Sequence, residues 1–130
     1  MKRRFGLDIQ VRFGDTDALG HINNATYATY AELGRVEFVR ALGLPPGGFI
    51  LARLALDYRK QVRLGERVRV ETWVERVGNS SITMRQEVVA DDELAVEVEA
   101  VAVWFDYGTN MPVRVPDEAR RVFEEWRESQ

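Results

Sequence analysis

The chain has 130 residues, enough for one domain with a sizeable core, since a domain commonly holds about 100 to 200 residues. With 45% hydrophobic residues, 30% charged residues and a net charge of −3, it is neither a disordered chain nor a strongly basic one that would bind nucleic acid. It has no cysteine and one histidine, which excludes disulfides, thiolate centres and a multi-histidine metal site in one subunit, and no apolar run reaches the roughly 18 residues of a membrane span.

The first third of the chain predicts a strand, a turn-rich loop and a long helix. Apolar and polar residues alternate over residues 7–13, which is typical of a half-buried strand that ends at Gly14. Turn-forming residues follow, and Asn23 and Asn24 offer a helix N-cap. Good helix formers continue over about residues 24–42, and Gly43 with the prolines and glycines after it ends the helix.

The rest of the chain returns to a period of two from Phe49 onward, with apparent hairpin turns at residues 65–66, 78–79 and 91–92. This pattern predicts a meander of four antiparallel strands. A short amphipathic helix is predicted over residues 117–128. With the first strand, the sequence therefore indicates an α+β fold in which one helix packs against one antiparallel sheet, as a single domain over residues 1–130.

The loop between the first strand and the helix is the segment where chemistry could occur. It places Asp15, Asp17, His21 and a helix N-terminus within a dozen residues. Free N–H groups at a helix start can stabilise a developing oxyanion, and a nearby carboxylate can attack a carbonyl or activate water. The pattern suits acyl transfer. The same residue types are also common in turns and caps, so a purely structural role is the alternative for each.

The run FGDTDALGHINNATYATYAE, residues 13–32, resembles the opening signature of the hotdog-fold acyl-CoA thioesterases of the 4-hydroxybenzoyl-CoA thioesterase type. The resemblance covers essentially the whole chain, because the predicted order of elements is also that of the family. It implies a hotdog fold, in which a long central α-helix is wrapped by a five-stranded antiparallel sheet, with a short C-terminal helix.

Carried over from this family, Asp17 is the catalytic carboxylate, as nucleophile or as general base. The backbone N–H of Asn24 polarises the substrate carbonyl, and His21 is an auxiliary catalytic group. Two departures bear on these roles. Some family members have a histidine in place of Asn24, and the plant acyl-carrier-protein thioesterases have an asparagine in place of Leu19.

The resemblance also implies substrate-binding positions. An apolar tunnel for the acyl chain lies beside Tyr27 and Tyr30. Asn79, Ser80 and Ser81 correspond to a turn near the pantetheine arm or the nucleotide of coenzyme A, and Arg59 belongs to a basic cluster that could meet the coenzyme A phosphates. For these last four residues, a plain hairpin turn or a solvated charge is the alternative interpretation.

The implied function is hydrolysis of an acyl-CoA thioester to a free acid and coenzyme A, without metal or organic cofactor. The alternatives are a non-catalytic acyl-CoA binding protein and an acyl-carrier-protein thioesterase. The spacing of Asp17 and His21 differs from that of the hydratases on the same fold. The charged N-terminus lacks the apolar stretch of a signal peptide, so the sequence predicts a cytoplasmic protein.

The sequence also predicts self-assembly, to a homodimer that assembles into a homotetramer. Relatives pair their sheets edge to edge, which here would use residues 54–59. Val101, Val103 and Phe105 are apolar on the side of the last strand that faces away from the core, and apolar surface of this kind marks an interface. No nucleic acid and no membrane is expected as a partner.

Overall fold

The alternating segments of the sequence form one antiparallel sheet, and the long run of helix formers packs across it. The structure is a computed structural model that describes residues 3–45 and 47–128. In chain order its elements are β1 Phe5–Ile9, α1 Thr26–Ala41, β2 Phe49–Tyr58, β3 Val68–Val77, β4 Ser81–Ala90, β5 Glu93–Asp106, β6 Met111–Pro112 and α2 Asp117–Glu124.

The sheet has six strands in the described residues, so the prediction of a five-stranded sheet was wrong. Across the sheet the order is β1-β3-β4-β5-β2, and β6 pairs with the end of β5. Asn110, with a φ of 59°, takes the left-handed conformation of a tight turn, and Met111 then pairs with Asp106. A two-residue strand is too short to show periodicity, which is why the sequence did not reveal it.

The predicted four-stranded meander was correct for three strands and wrong for the first. Hairpins connect β3 to β4 and β4 to β5, but β2 pairs with β5 at the far edge of the sheet. The link over residues 59–67 is held under the start of α1, where Val62 is fully buried and its carbonyl accepts a hydrogen bond from the Ile22 amide at 2.8 Å. This anchored crossing separates β2 from β3.

The first strand ends earlier than its alternating pattern predicts. It stops at Ile9, and a short 3-10 turn occupies Phe13–Asp15. The Asp15 carboxylate accepts the Arg12 amide at 3.0 Å, and the Asp15 amide donates to the Arg12 carbonyl at 2.9 Å. These local bonds compete with the sheet for the Arg12 backbone, and Phe13 is left 82% exposed.

The long central helix predicted over residues 24–42 is shorter in the structure. It is the sixteen-residue α1, so the predicted extent was wrong. The Asn23 side chain and carbonyl accept the Ala25 and Thr26 amides, each at 2.9 Å, and form a turn before the helix. At the other end Gly43 has a φ of +76°, and its amide donates to the Arg40 carbonyl. The helix ends close to the predicted residue because this left-handed conformation stops a helix and only glycine adopts it without strain.

The core lies between α1 and the sheet. α1 packs on β1, β3 and β4, and it approaches so closely at Gly34 that a Cβ there would lie 2.7 Å from the Val70 Cγ1. One core cluster surrounds Tyr27 near the helix start, and another surrounds Phe38, where α2 adds Phe123. The part of the inner sheet face on β2 is left partly open, since α1 lies toward the other edge.

No helix in the part of the chain that the structure describes is long and apolar enough to cross a bilayer.

Candidate active site

The loop that precedes α1 is fastened to the helix through Asp15. Its carboxylate accepts hydrogen bonds from the Arg12 amide at 3.0 Å and from the Tyr30 hydroxyl at 2.7 Å. These two bonds lower the pKa of Asp15 below its ordinary value, and burial with the nearby carboxylate raises the pKa of Tyr30. Both bonds are accepted by Oδ2 of Asp15, and together they hold the loop in place against the helix.

Asp17 differs from Asp15 in that its partners are backbone amides only and its side chain is exposed. Its Oδ1 accepts from the Leu19 amide at 2.8 Å and from the His21 amide at 3.1 Å. These bonds, the Leu19 bond first, lower the pKa of Asp17. No described residue donates to Oδ2, so one oxygen of an ionised carboxylate faces the solvent, free to react.

His21 lies beside this carboxylate and is half-buried. Its backbone pairs with Arg63, and its carbonyl accepts the Asp17 amide at 2.7 Å. The imidazole makes no hydrogen bond to a described residue. The structure thus brings His21 and Asp17 together, although through the backbone rather than through a direct side-chain bond.

The predicted oxyanion donor is the Asn24 backbone amide at the helix start. The Asn24 amide donates to no residue in the described part of the chain. The amides on either side of it are both bonded, Asn23 to the Asp15 carbonyl and Ala25 to the Asn23 side chain. The prediction that Asn23 or Asn24 is the N-cap was wrong, because Ala25 is the N-cap. The Asn23 side chain accepts the Ala25 amide in the turn before the helix. The free Asn24 amide at a helix N-terminus is a donor of the kind that stabilises an oxyanion.

Tyr58 completes this corner, although no pattern in the sequence assigned it to the site. Its hydroxyl donates to the Asn24 carbonyl at 3.0 Å, and its ring lies 5.6 Å from that of Tyr27. Tyr58 ends the alternating pattern of β2, so its position on the inner face could have been predicted. Its proximity to the helix start could not, because that depends on β2 lying next to β5.

The predicted substrate residues Tyr27 and Arg59 lie in different surroundings, one in the core and one at the surface. Tyr27 is 2% exposed, and its hydroxyl accepts the Val62 amide at 3.2 Å, so it belongs to the core beside the site. Arg59 is exposed just after β2 and lies 3.3 Å from the Glu97 carboxylate.

The turn that contains Asn79, Ser80 and Ser81 lies at the opposite end of the sheet from Asp17. It joins β3 to β4 where Val77 pairs with Ile82, whereas β1 leads into the Asp17 loop where Ile9 pairs with Val68. Ten strand residues separate these ends, roughly 33 Å at about 3.3 Å per residue. Within one chain this turn does not reach Asp17, so its substrate-binding role stays a prediction.

One helix packed across an antiparallel sheet, with a carboxylate loop at the helix start, defines the hotdog fold of the thioesterase type. The family model of the thioesterase-like superfamily matches residues 11–123, and the chain belongs to this superfamily. The prediction of a thioester hydrolase of the hotdog type is confirmed. Membership of the narrower 4-hydroxybenzoyl-CoA group stays a prediction.

Named relatives agree with this assignment. The chain is 29% identical over 126 residues to the acyl-acyl carrier protein thioesterase ATL2 of Arabidopsis thaliana, a match that covers 90% of this chain and 66% of ATL2. It is 27% identical over 127 residues to the acyl-CoA thioesterase YbgC of Haemophilus influenzae, covering 92% of this chain and 93% of YbgC.

Solved structures show the same fold. A predicted thioesterase from Bacillus stearothermophilus superposes with a TM-score of 0.91 at 30% identity, covering 98% of this chain and 99% of that one. A thioesterase from Thermus thermophilus, complexed with coenzyme A and Zn, superposes with a TM-score of 0.87 at 31% identity, covering 93% of this chain and 92% of that one.

Proposed function

We propose that the chain hydrolyses acyl-CoA thioesters to a free acid and coenzyme A, with Asp17 as the catalytic carboxylate. The observation that carries this proposal is that the loop before α1 holds both an exposed, ionised Asp17 and, at the helix start, an Asn24 amide with no acceptor among the described residues. Similarity to YbgC, an acyl-CoA thioesterase, supports the substrate class.

The reaction can follow two routes at this site. In the first, the Asp17 carboxylate attacks the thioester carbonyl, coenzyme A leaves as the thiolate, and water hydrolyses the mixed anhydride. In the second, Asp17 takes a proton from water, the hydroxide attacks, and the thiolate leaves and is protonated. In both, the Asn24 amide donates to the carbonyl oxygen as it gains negative charge.

The lowered pKa of Asp17 supports the nucleophilic route. A general base works best when its pKa is near the working pH, and the amide bonds to Asp17 move its pKa in the opposite direction. A nucleophile only has to be ionised. Rapid quenching of a single turnover, followed by mass spectrometry of the peptide with Asp17, tests this choice through the acyl adduct on Asp17.

Acyl-carrier-protein thioesters are the second candidate substrate, because the relative ATL2 acts on them. A panel of acyl-CoA and acyl-carrier-protein thioesters with matched acyl groups separates the two candidates through the rate of thiol release. We expect faster release from coenzyme A. Release from neither carrier would identify a non-catalytic binding protein and contradict the proposed function.

We further propose that the working unit is a homodimer joined along β2 that assembles into a homotetramer. β2 is an edge strand, and unpaired edges favour pairing with a second copy. In an antiparallel pairing centred on Leu54, Ile50 would lie opposite Tyr58 of the partner subunit. Because Ile50, Val103 and Ser81 are register neighbours, the turn with Asn79 would then approach the partner's site.

The second interface of the proposed tetramer is the outer face of β5. Val101, Val103 and Phe105 are half-buried there in the single chain. Sedimentation equilibrium at micromolar concentration should give a dimer or tetramer. A fully active monomer of 14.9 kDa would contradict both the shared site and the coenzyme A role of Asn79.

A further inference from the structure

A positive charge without a counter-ion is buried under the middle of α1. Arg35 is 8% exposed, and no carboxylate among the described residues forms an ion pair with it. Its Nη1 donates to a neutral acceptor, the Gln86 Oε1, at 3.1 Å. Burial lowers the pKa of Arg35, and the charge of Glu32, one turn earlier, only partly offsets this. A guanidinium that has lost its hydration in this way is stabilised strongly by an incoming anion.

The Arg35 side chain is held in place by a buried polar network. Gln86 is 1% exposed, and its Nε2 donates to the Ala31 carbonyl at 2.8 Å and to the Thr72 Oγ1 at 3.0 Å. These bonds fix the Gln86 amide so that its oxygen is left for Arg35. The guanidinium is therefore positioned before any ligand arrives, which reduces the entropy cost of binding one.

Arg35 lines a cavity of 190 Å³ between α1 and the sheet. Apart from Arg35 and Glu32, the lining is apolar, and it consists of Val36, Val39, Phe49, Leu51, Met84 and Ala102. The volume corresponds to about six water molecules at about 30 Å³ each, which is room for the end of an acyl chain. An apolar cavity with one oriented cation is typical of a site that recognises a particular functional group.

A strip of apolar side chains on β2, called the trough below, lies between this cavity and the candidate active site. Leu51, Leu54, Leu56 and Tyr58 occupy the inner face of β2, which α1 leaves partly open. At one end of the trough Leu51 lines the cavity, and at the other Tyr58 donates to the Asn24 carbonyl. Arg35 lies roughly 14 Å along α1 from its start, at about 1.5 Å per residue. An extended acyl chain whose thioester lies at Asn24 would follow this trough.

We propose that the cavity binds the distal end of the acyl group and that Arg35 selects acyl groups that end in a carboxylate. The inference rests on the proposed thioesterase function and names the substrate class of that site. The carboxylate pairs with the two-pronged guanidinium and supplies the counter-charge that no described residue provides. The apolar lining excludes water from the pair, while the methylene chain occupies the trough.

A second copy of the chain is the competing occupant. Glu32 is exposed at the mouth of the cavity, and in a dimer Glu32 of the partner subunit could pair with Arg35. In that case Arg35 would stabilise the assembly and would not distinguish substrates. The two occupants predict different readouts, since one changes a ratio of substrates and the other changes the molecular mass.

The test compares matched acyl-CoA pairs of equal chain length, one ending in a methyl group and one in a carboxylate, from short to long chains. For chains long enough to reach Arg35, we expect the wild type to prefer the carboxylate by about tenfold or more in kcat/KM. Arg35→Met should lower this preference by at least about tenfold, because the buried carboxylate would then be unpaired. Arg35→Lys keeps the charge without the two-pronged geometry and should retain part of the preference.

Each other outcome has a definite meaning. A wild type that prefers the methyl-ended member at every length overturns the proposal, even if Arg35→Met does not fold. An unchanged ratio in Arg35→Met also overturns it. Loss of the dimer in both Arg35→Met and Glu32→Gln, measured by sedimentation, assigns Arg35 to the interface. A wild type that hydrolyses no thioester contradicts the proposed function itself.

Discussion

The two ends of the trough beside α1 hold their charges in opposite ways. At the helix start, Asp17 is exposed, and two backbone amides stabilise its ionised form. In the middle of the helix, Arg35 is buried, with one neutral acceptor and no counter-ion among the described residues. The first charge is stable without a ligand and is free to react. The second is costly without a ligand and gains most from binding one, so we assign chemistry to one end and recognition to the other.

Loss of the Asp17 carboxylate should give the largest effect. Asp17→Asn is expected to lower kcat by about a hundredfold or more, since a lost nucleophile or base typically costs that much. The matched control is Asp15→Asn, which changes the same chemical group two residues away, where it holds the loop. Steady-state release of coenzyme A measures both. Equal losses, or a larger loss in Asp15→Asn, would contradict the division of roles.

The Asn24 side chain should matter far less than its amide. Asn24→Ala keeps the backbone N–H at the helix start, so we expect less than about a tenfold loss in kcat/KM, below the cost of removing a true oxyanion donor. Steady-state kinetics on the same substrate as for Asp17→Asn provide the comparison. A loss in Asn24→Ala as large as that in Asp17→Asn would show that the side chain itself takes part in the reaction.

The acid side of the pH profile should reflect the lowered pKa of Asp17. Hydrogen bonds to the ionised form keep the carboxylate deprotonated at lower pH, so kcat/KM should stay level on acidification to about pH 5 and fall only below the ordinary aspartate value of about 4. Circular dichroism at each pH would confirm that the protein is folded. An acid limb centred near pH 6 would assign the rate to a different group.

Asp15 should influence stability more than rate. Its folded-state pKa is lowered, so its contribution to the free energy of unfolding is present above the unfolded aspartate pKa and is lost as pH falls through the folded value. Asp15→Ala should cost about 1 to 2 kcal/mol at pH 7 through the lost bonds to Tyr30 and Arg12. Urea denaturation at a fixed protein concentration measures this, and the difference from wild type should shrink near pH 3. A difference that grows on acidification would contradict the assignment.

Chelation should give the smallest effect. With no cysteine and one histidine, the chain cannot build a closed zinc site of the usual ligands, so activity should be unchanged after exhaustive treatment with EDTA. The rate of thiol release before and after treatment measures this. A loss that a divalent ion restores would show that the site uses a metal.

The sequence predicted the Asp17 end of the trough and not the Arg35 end, for a physical reason. The loop, its acidic residues and the helix start are adjacent in the chain, so a local pattern was enough to find them. Arg35 meets Gln86 across 51 positions, and Tyr58 meets Asn24 across 34. The first contact depends on α1 packing across β4, and the second depends on β2 lying at the far edge beside β5. Helix packing and strand order are tertiary properties that alternation cannot reveal.

Errors in the predicted elements have the same origin. The predicted end of α1 was close to the observed one because Gly43 determines it locally. The predicted β1 was too long because the alternating pattern continues past Ile9, where the strand ends. What ended that strand was the hydrogen bonding of Asp15 to Arg12 and Tyr30, which links the loop to the helix. A pattern of hydrophobic residues has no information on such bonds.

The separate roles of Asp17 in the chemistry and Arg35 in recognition can be tested directly with the matched methyl-ended and carboxylate-ended acyl-CoA substrates and two variants. If Asp17 performs the chemistry, Asp17→Asn should lower kcat/KM for both substrates by the same factor, so the ratio between them is unchanged. If Arg35 performs the recognition, Arg35→Met should change that ratio by at least about tenfold. A changed ratio in Asp17→Asn, or equal losses on both substrates in Arg35→Met, would contradict the account.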